Sequence, residues 1–173
     1  MEGKIPRLRR IVGAEQVPTE KAVPKIVRVP ANDPIIGTVV SDSIFELVTH
    51  YSQGFTRLCA GEEECEMCGL APRRFYGLLA VWPRSATGPQ WVQLTPKAVL
   101  HLMGEITERQ IVLHGLNVKI SRERKVKNAP ITIAIDEWAR TVSRLPKPLT
   151  PDETIERVFG SKKIPRFDPT KAV

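Results

Sequence analysis

Four residues with soft-metal chemistry lie within nineteen positions of one another: His50, Cys59, Cys65 and Cys68, spaced His-x8-Cys-x5-Cys-x2-Cys. They include all three cysteines of the chain. The Cys65-Glu66-Met67-Cys68 step presents two thiolates from one tight knuckle, the common way of offering two sulfurs to a tetrahedral ion. Gly69 directly after it permits the turn that aims backbone N–H groups back at sulfur. If Phe45–Tyr51 and Phe55–Leu58 pair as a hairpin across Ser52-Gln53-Gly54, His50 and Cys59 come together at one end of it. Three thiolates and an imidazole match zinc.

A lone C-x-x-C also marks redox sites, but no helix start with basic surroundings accompanies this one. The flanking Gly-Glu-Glu-Glu-Cys-Glu is expected to raise its thiol pKa. Catalytic zinc keeps a position open for water, with a general base nearby; four protein ligands close the shell. The H-x-E and P-C-x-x-C elements of nucleic-acid deaminases are absent, since Tyr51 and Ser52 follow His50 and Glu64 precedes Cys65. The expectation is a structural zinc and no enzyme. No other pairing of base and nucleophile has supporting spacing.

The elements that must position this cluster are mostly strands. Ile35–Val40 and Ile44–Tyr51 are rich in β-branched and aromatic residues. Arg74–Trp82 is the strongest strand in the chain, and Gly77 within it signals a bend or close approach. Ser85–Gln90 reads as a turn, and Trp91–Leu94 as the returning half of a hairpin. Thr95 then caps a helix with Pro96 at its first position, and Gly104 is a candidate interruption. Asn117–Ser121 and Ile131–Ile135 pair across a basic connection. A helix is expected from Ile135 towards Leu145. Another is expected over Thr150–Gly160, with Thr150 and Glu153 as a capping box and Gly160 as its stop.

This gives a mainly β (α+β) chain: a five-stranded OB-like barrel with an inserted zinc knuckle, one inserted helix and C-terminal helices. A β-sandwich is the alternative, to which an inserted helix is less natural. The organisation reads as a basic, Pro-rich arm over residues 1–33, a core over 34–136 with its zinc subdomain at 50–70, and a C-terminal helical extension and tail over 137–173. Within the arm, Lys25–Val29 could pair as an edge strand.

The net charge of the 173 residues is +7 and the pI about 9.6, but the surplus is regional. Residues 31–70 hold seven carboxylates against the single Arg57, whereas residues 71–150 hold thirteen cations against five acids. An acidic lobe thus lies beside a basic face, and basic surface is the electrostatic footprint of nucleic-acid binders. No apolar run reaches the length of a membrane span and no secretory signal is evident. With an odd cysteine count, these point to reduced thiols in the cytoplasm of a bacterial or phage-infected cell.

The zinc knuckle leading into Arg73–Trp82, then a strand running into a helix over Trp91–Met103, resembles the zinc-containing OB-fold single-stranded-DNA-binding proteins of T-even phages. It also resembles uncharacterised phage and bacterial proteins with a THY…C…C-x-x-C stretch. That stretch is matched here by Thr49, His50, Tyr51, Gly54, Thr56, Cys59, Gly61, Cys65 and Cys68. The resemblance covers roughly residues 35–135 and implies sequence-tolerant binding of single strands in a basic, aromatic-lined groove, in replication or recombination. The family's strongly acidic tail has no counterpart, because residues 151–173 are nearly neutral.

Stacking needs exposed aromatics, and phosphates need cations close by. Arg73, Arg74 and Tyr76 fit, with 74, 76, 78, 80 and 82 on one face of their strand and Phe75, Leu79 and Val81 in the core. Lys119, Arg122, Arg124, Lys125 and Lys127 form the densest basic run, in a strand connection of the kind such barrels use for oligonucleotides. Trp82 and Trp91 read as packing residues, Tyr51 as packing on the knuckle, and His101 and His114 as ordinary helix and loop residues. The expected function is non-enzymatic binding of single-stranded DNA or RNA, chiefly DNA. The alternative is an adaptor or scaffold subunit, docked onto other proteins of a phage, mobile-element or other nucleoprotein assembly.

Overall fold

A computed structural model describes residues 23–61, 63–123, 129–136, 145–160 and 164–168. It is mainly β, with eight strands in one sheet and two α-helices. The strands are β1 (Ile26–Arg28), β2 (Ile35–Val39), β3 (Phe45–Ser52), β4 (Phe55–Leu58), β5 (Arg73–Pro83), β6 (Gln90–Leu94), β7 (Asn117–Arg122) and β8 (Ile131–Ile135). Helix α1 (Pro96–Arg109) connects β6 to β7, and α2 (Asp152–Phe159) follows the sheet. No helix among the described residues is long and apolar enough to cross a membrane.

The order along the sheet is β1-β6-β5-β2-β7-β8, with β3 pairing β5 and β4. The eleven-residue β5 organises it. One edge pairs β6 through Gly77–Val81, while the other takes β3 along Arg73–Leu78 and then β2 along Val81–Pro83. The sheet is not closed. Where a barrel would pair its third and last strands, the outer edge of β6 is taken by β1, in parallel register from Ile26↔Trp91 to Arg28↔Gln93. The five strands expected of the barrel become eight for three reasons, one of them the short β4 that pairs only with β3. Lys25–Val29 does pair as an edge strand, and the chain from Ile35 to Ser52 breaks into two strands on the same edge of β5.

Both faces of the sheet are covered, which explains where the period-2 reading fails. Leu79, Val81, Val92, Leu94, Val118, Ile120, Ile131 and Ile133 form one apolar cluster with Ala98, Val99 and Leu102 of α1. Leu78, Ala80, Phe45, Leu47 and Trp91 form a second on the opposite face, closed by Ile155 of α2 and by Ile164. Leu78 and Ala80, assigned by alternation to an open face, are therefore fully buried. Phe75, assigned to the core, lies beyond the reach of α1 and is 43% exposed. Trp91 packs edge-on against Phe45, with ring centroids 5.8 Å apart. Gly77 is the close approach its position suggested: a Cβ there would collide with Val99 Cγ2.

Thr95 Oγ1 accepts from Ala98 N at 3.4 Å, as expected of a cap. The helix continues through Gly104 and ends at Gln110, whose φ of 53° places it in the left-handed region. The Thr150 capping box does not form; Pro151 occupies the cap position without a side-chain bond. Instead Thr154 Oγ1 donates to Pro24 O at 2.9 Å, tying α2 to the start of β1. The helix expected after Ile135 falls mainly on residues 137–144, outside the described residues.

Candidate metal centre and basic groove

The β3–β4 hairpin turns on Gln53 and Gly54, both at positive φ (51° and 85°), the backbone twist that suits a two-residue connection. The register then fixes the ligands. His50 faces Arg57 across the hairpin and Arg73 across β5, and Cys59 N donates to Val48 O at 2.9 Å. Cys65 precedes a 3-10 turn over Glu66–Gly69, which folds Cys68 back so that its N–H donates to Cys65 O at 3.0 Å.

His50, Cys59, Cys65 and Cys68 come together with all their ligand atoms within 4.8 Å of one another, a cluster that can hold a metal ion. Cys59 Sγ lies 3.6 Å from Cys68 Sγ, and Cys68 Sγ lies 3.5 Å from His50 Nε2. Metal bonds of about 2.3 Å to sulfur and 2.05 Å to nitrogen put tetrahedral edges at about 3.8 Å and 3.6 Å, so the measured separations are those of one coordination shell. They are too long for a disulfide. His50 is fully buried, and its Nδ1 donates to Ala71 O at 2.9 Å. That bond fixes the tautomer and leaves the Nε2 lone pair aimed at the sulfurs.

The thiols respond unequally to their crowding. Cys65 is pulled down to about 6, chiefly by a backbone hydrogen bond from Ala60, contrary to the effect expected of its acidic flank. A donor touching sulfur outweighs solvated carboxylates further off. Cys68 is pushed up to about 11 by burial and then by its two thiol neighbours. Only a cation lets three such sulfurs ionise side by side.

The opposite face of the same ribbon is basic and aromatic. Neighbours in register share a face, so Leu47, Thr49 and Tyr51 of β3 stand with Tyr76 and Arg74 of β5, away from His50. A groove of about 530 Å³ runs past Arg28, Arg74, Tyr76, Gln93 and Arg122 to Ile131 of β8. It follows the gap left where the sheet does not close. A smaller recess of about 110 Å³ continues it towards Tyr51, Thr56 and α2, sharing Arg28, Arg74, Tyr76 and Gln93. The Arg74 guanidinium lies over the Tyr51 ring, 4.9 Å from its centroid. Arg122 Nε is buried and has no hydrogen-bond partner among the described residues.

Of the residues singled out for nucleic acid, Arg74, Tyr76 and Arg122 line this groove. Arg73 does not: as the neighbour of Arg74 it points to the opposite face, over the Phe75 ring at 5.5 Å. Lys119 is exposed but three residues from Arg122, and so on the other face of β7. Arg124, Lys125 and Lys127 lie outside the described residues. Tyr51 does not pack on the knuckle but faces the groove, 47% exposed. Arg28 and Gln93 were missed, although the alternation Ile26-Val27-Arg28 already put an arginine on one face of a short strand. Trp91 is buried as expected; Trp82 Nε1 donates to Ala86 O at 3.4 Å, and His114 Nε2 lies 3.1 Å from Pro146 O. No protein-family model, curated protein or solved structure matches the chain.

Proposed function

We propose that this protein binds single-stranded nucleic acid, DNA foremost, with little sequence preference, and that its four-ligand cluster holds a structural zinc. The carrying observation is the convergence of Arg28, Arg74, Arg122, Tyr51 and Tyr76 on one groove. Three guanidiniums supply phosphate contacts and two phenol rings supply stacking surface, the combination that sequence-tolerant single-strand binding uses. The Cys3His donor set and its tetrahedral spacing favour zinc. Zinc would act as a brace, since it ties the back of the ribbon whose front carries Tyr51, Thr56 and Arg74.

The connectivity supports an OB-like reading. The β2–β3 edge, β5 and β6 form a meander, α1 follows, and the β7–β8 hairpin returns to β2. We read that order as the one of a partly open five-stranded Greek-key barrel, with β1 added beside β6.

The test is a titration of fluorescent oligo(dT) at two salt concentrations. Tight binding that weakens steeply with salt is expected, and no binding near about 50 mM salt sinks the proposal. The adaptor reading draws on a different observation: Phe55 at the β3–β4 turn and Leu70 after the 3-10 turn are 69% and 79% exposed. Nucleic-acid binding that requires a second protein would favour it.

A further inference from the structure

The small recess at the end of the groove differs in build from the groove itself. Its floor is the sheet, with Leu47, Thr49 and Tyr76, and its far wall is the last turn of α2, with Val158 and Phe159. That wall is firmly placed, because Ile155 is fully buried and Thr154 is bonded to Pro24 O. Val158 nevertheless stands 53% exposed at the mouth. The lining is mixed: Ile26, Leu47, Val158 and Phe159 offer apolar surface, while Thr49, Thr56 and Gln93 offer hydroxyls and an amide. One face of the Tyr51 ring is already covered by Arg74.

We infer that this recess takes one unpaired nucleobase of any kind, inserted between the sheet and α2, as a base-binding subsite of the groove. The inference rests on the single-strand reading above. Size selects the occupant. Pockets for drug-sized molecules run from about 300 Å³ upward, and a recess of about 110 Å³ takes a single heterocycle but not a base pair. Chemistry agrees: every base has an apolar face for Phe159 and Tyr76, and an edge of donors and acceptors that Thr49, Thr56 and Gln93 can pair. Arg28 and Arg74 stand where the recess meets the groove and hold the adjoining phosphates. The subsite makes α2 part of the binding surface, and it favours single strands over duplex, whose bases enter only by unpairing and unstacking.

The experiment compares oligo(dT) with an oligomer of the same length built of abasic deoxyribose phosphates, which carries equal charge but no bases. The wild-type protein is expected to prefer dT by roughly 5- to 150-fold, the range for one stacked base. Val158→Trp, a neutral change at an exposed position, fills the mouth and should bring the dT affinity down to the abasic level, which itself stays unchanged. Val112→Trp, the same enlargement at an exposed position outside the recess, should keep the preference. A wild-type ratio near one overturns the base subsite while leaving single-strand binding standing. A high ratio that survives Val158→Trp places the base elsewhere and also overturns it. Failure to bind either oligomer overturns the groove reading itself.

Discussion

Replacing the groove arginines with glutamine tests whether the groove holds a strand through its phosphates. Arg28, Arg74 and Arg122 line it from three strands. Each phosphate neutralised on a single strand contributes about 0.7 to the slope of log affinity against log salt. Three such contacts give a slope of about −2.1, an 18-fold loss of affinity on raising salt from about 50 to about 200 mM. Arg28→Gln alone should flatten the slope by about 0.7, which shrinks that salt-dependent loss by about 2.6-fold. The triple variant should shrink it by the full 18-fold, leaving whatever slope other cations contribute. Arg74→Gln should also weaken binding at every salt concentration, because it uncovers the Tyr51 ring. Arg57, paired with His50 on the ribbon's other face, is the control. Fluorescence anisotropy with oligo(dT) across a salt series reads all five proteins. A triple variant with the wild-type slope, or Arg57→Gln flattening it as much as Arg28→Gln, would refute the assignment of the groove.

Three further outcomes are expected. Purified protein should carry one zinc per chain by elemental analysis; chelation or Cys68→Ser should lower the thermal midpoint and weaken oligo(dT) binding together, and a metal-free protein of unchanged stability would contradict the brace. Tyr76→Ala should cost about 1–3 kcal/mol of binding if a base stacks there, whereas Phe75→Ala on the other face should cost little; equal effects would argue against stacking. Gly77→Ala drives a methyl into Val99 Cγ2 and should destabilise the fold by about 1–3 kcal/mol in chemical denaturation; a neutral result would mean that α1 can shift off β5.

The metal cluster was legible before any fold, because ligand type and spacing constrain it more tightly than tertiary context does. The hairpin that joins His50 to Cys59 followed from Ser52-Gln53-Gly54 and the flanking strands. Long-range pairing was harder to read. Nothing local to Ile26–Arg28 says that it lies beside Trp91–Gln93, and that one pairing brings Arg28 to the groove and blocks closure of the sheet. Likewise the alternation along β5 correctly separated Arg74 and Tyr76 from Leu79 and Val81. It could not show that α2 and Ile164 cover the first face as far as Leu78, so exposure on that face survives only at the end near the knuckle. Arg73 and Lys119 stand on the other faces of their strands, one and three residues out of step with Arg74 and Arg122.

The bond between Thr154 and Pro24 joins residues 130 positions apart, and this has a consequence for when the protein can work. During synthesis the strand bearing Arg28 emerges before every other described element, yet its supporting helix α2 emerges after all eight strands. A chain still held by a ribosome is surrounded by RNA, a polyanion it would otherwise be suited to seize. The far wall of the recess cannot form until α2 has been made and released. Base binding at the recess would thereby be deferred until α2 has left the ribosome. A ribosome-held chain stopped at Leu149 is expected to show no preference for dT over abasic oligomer, and the same assay checks it.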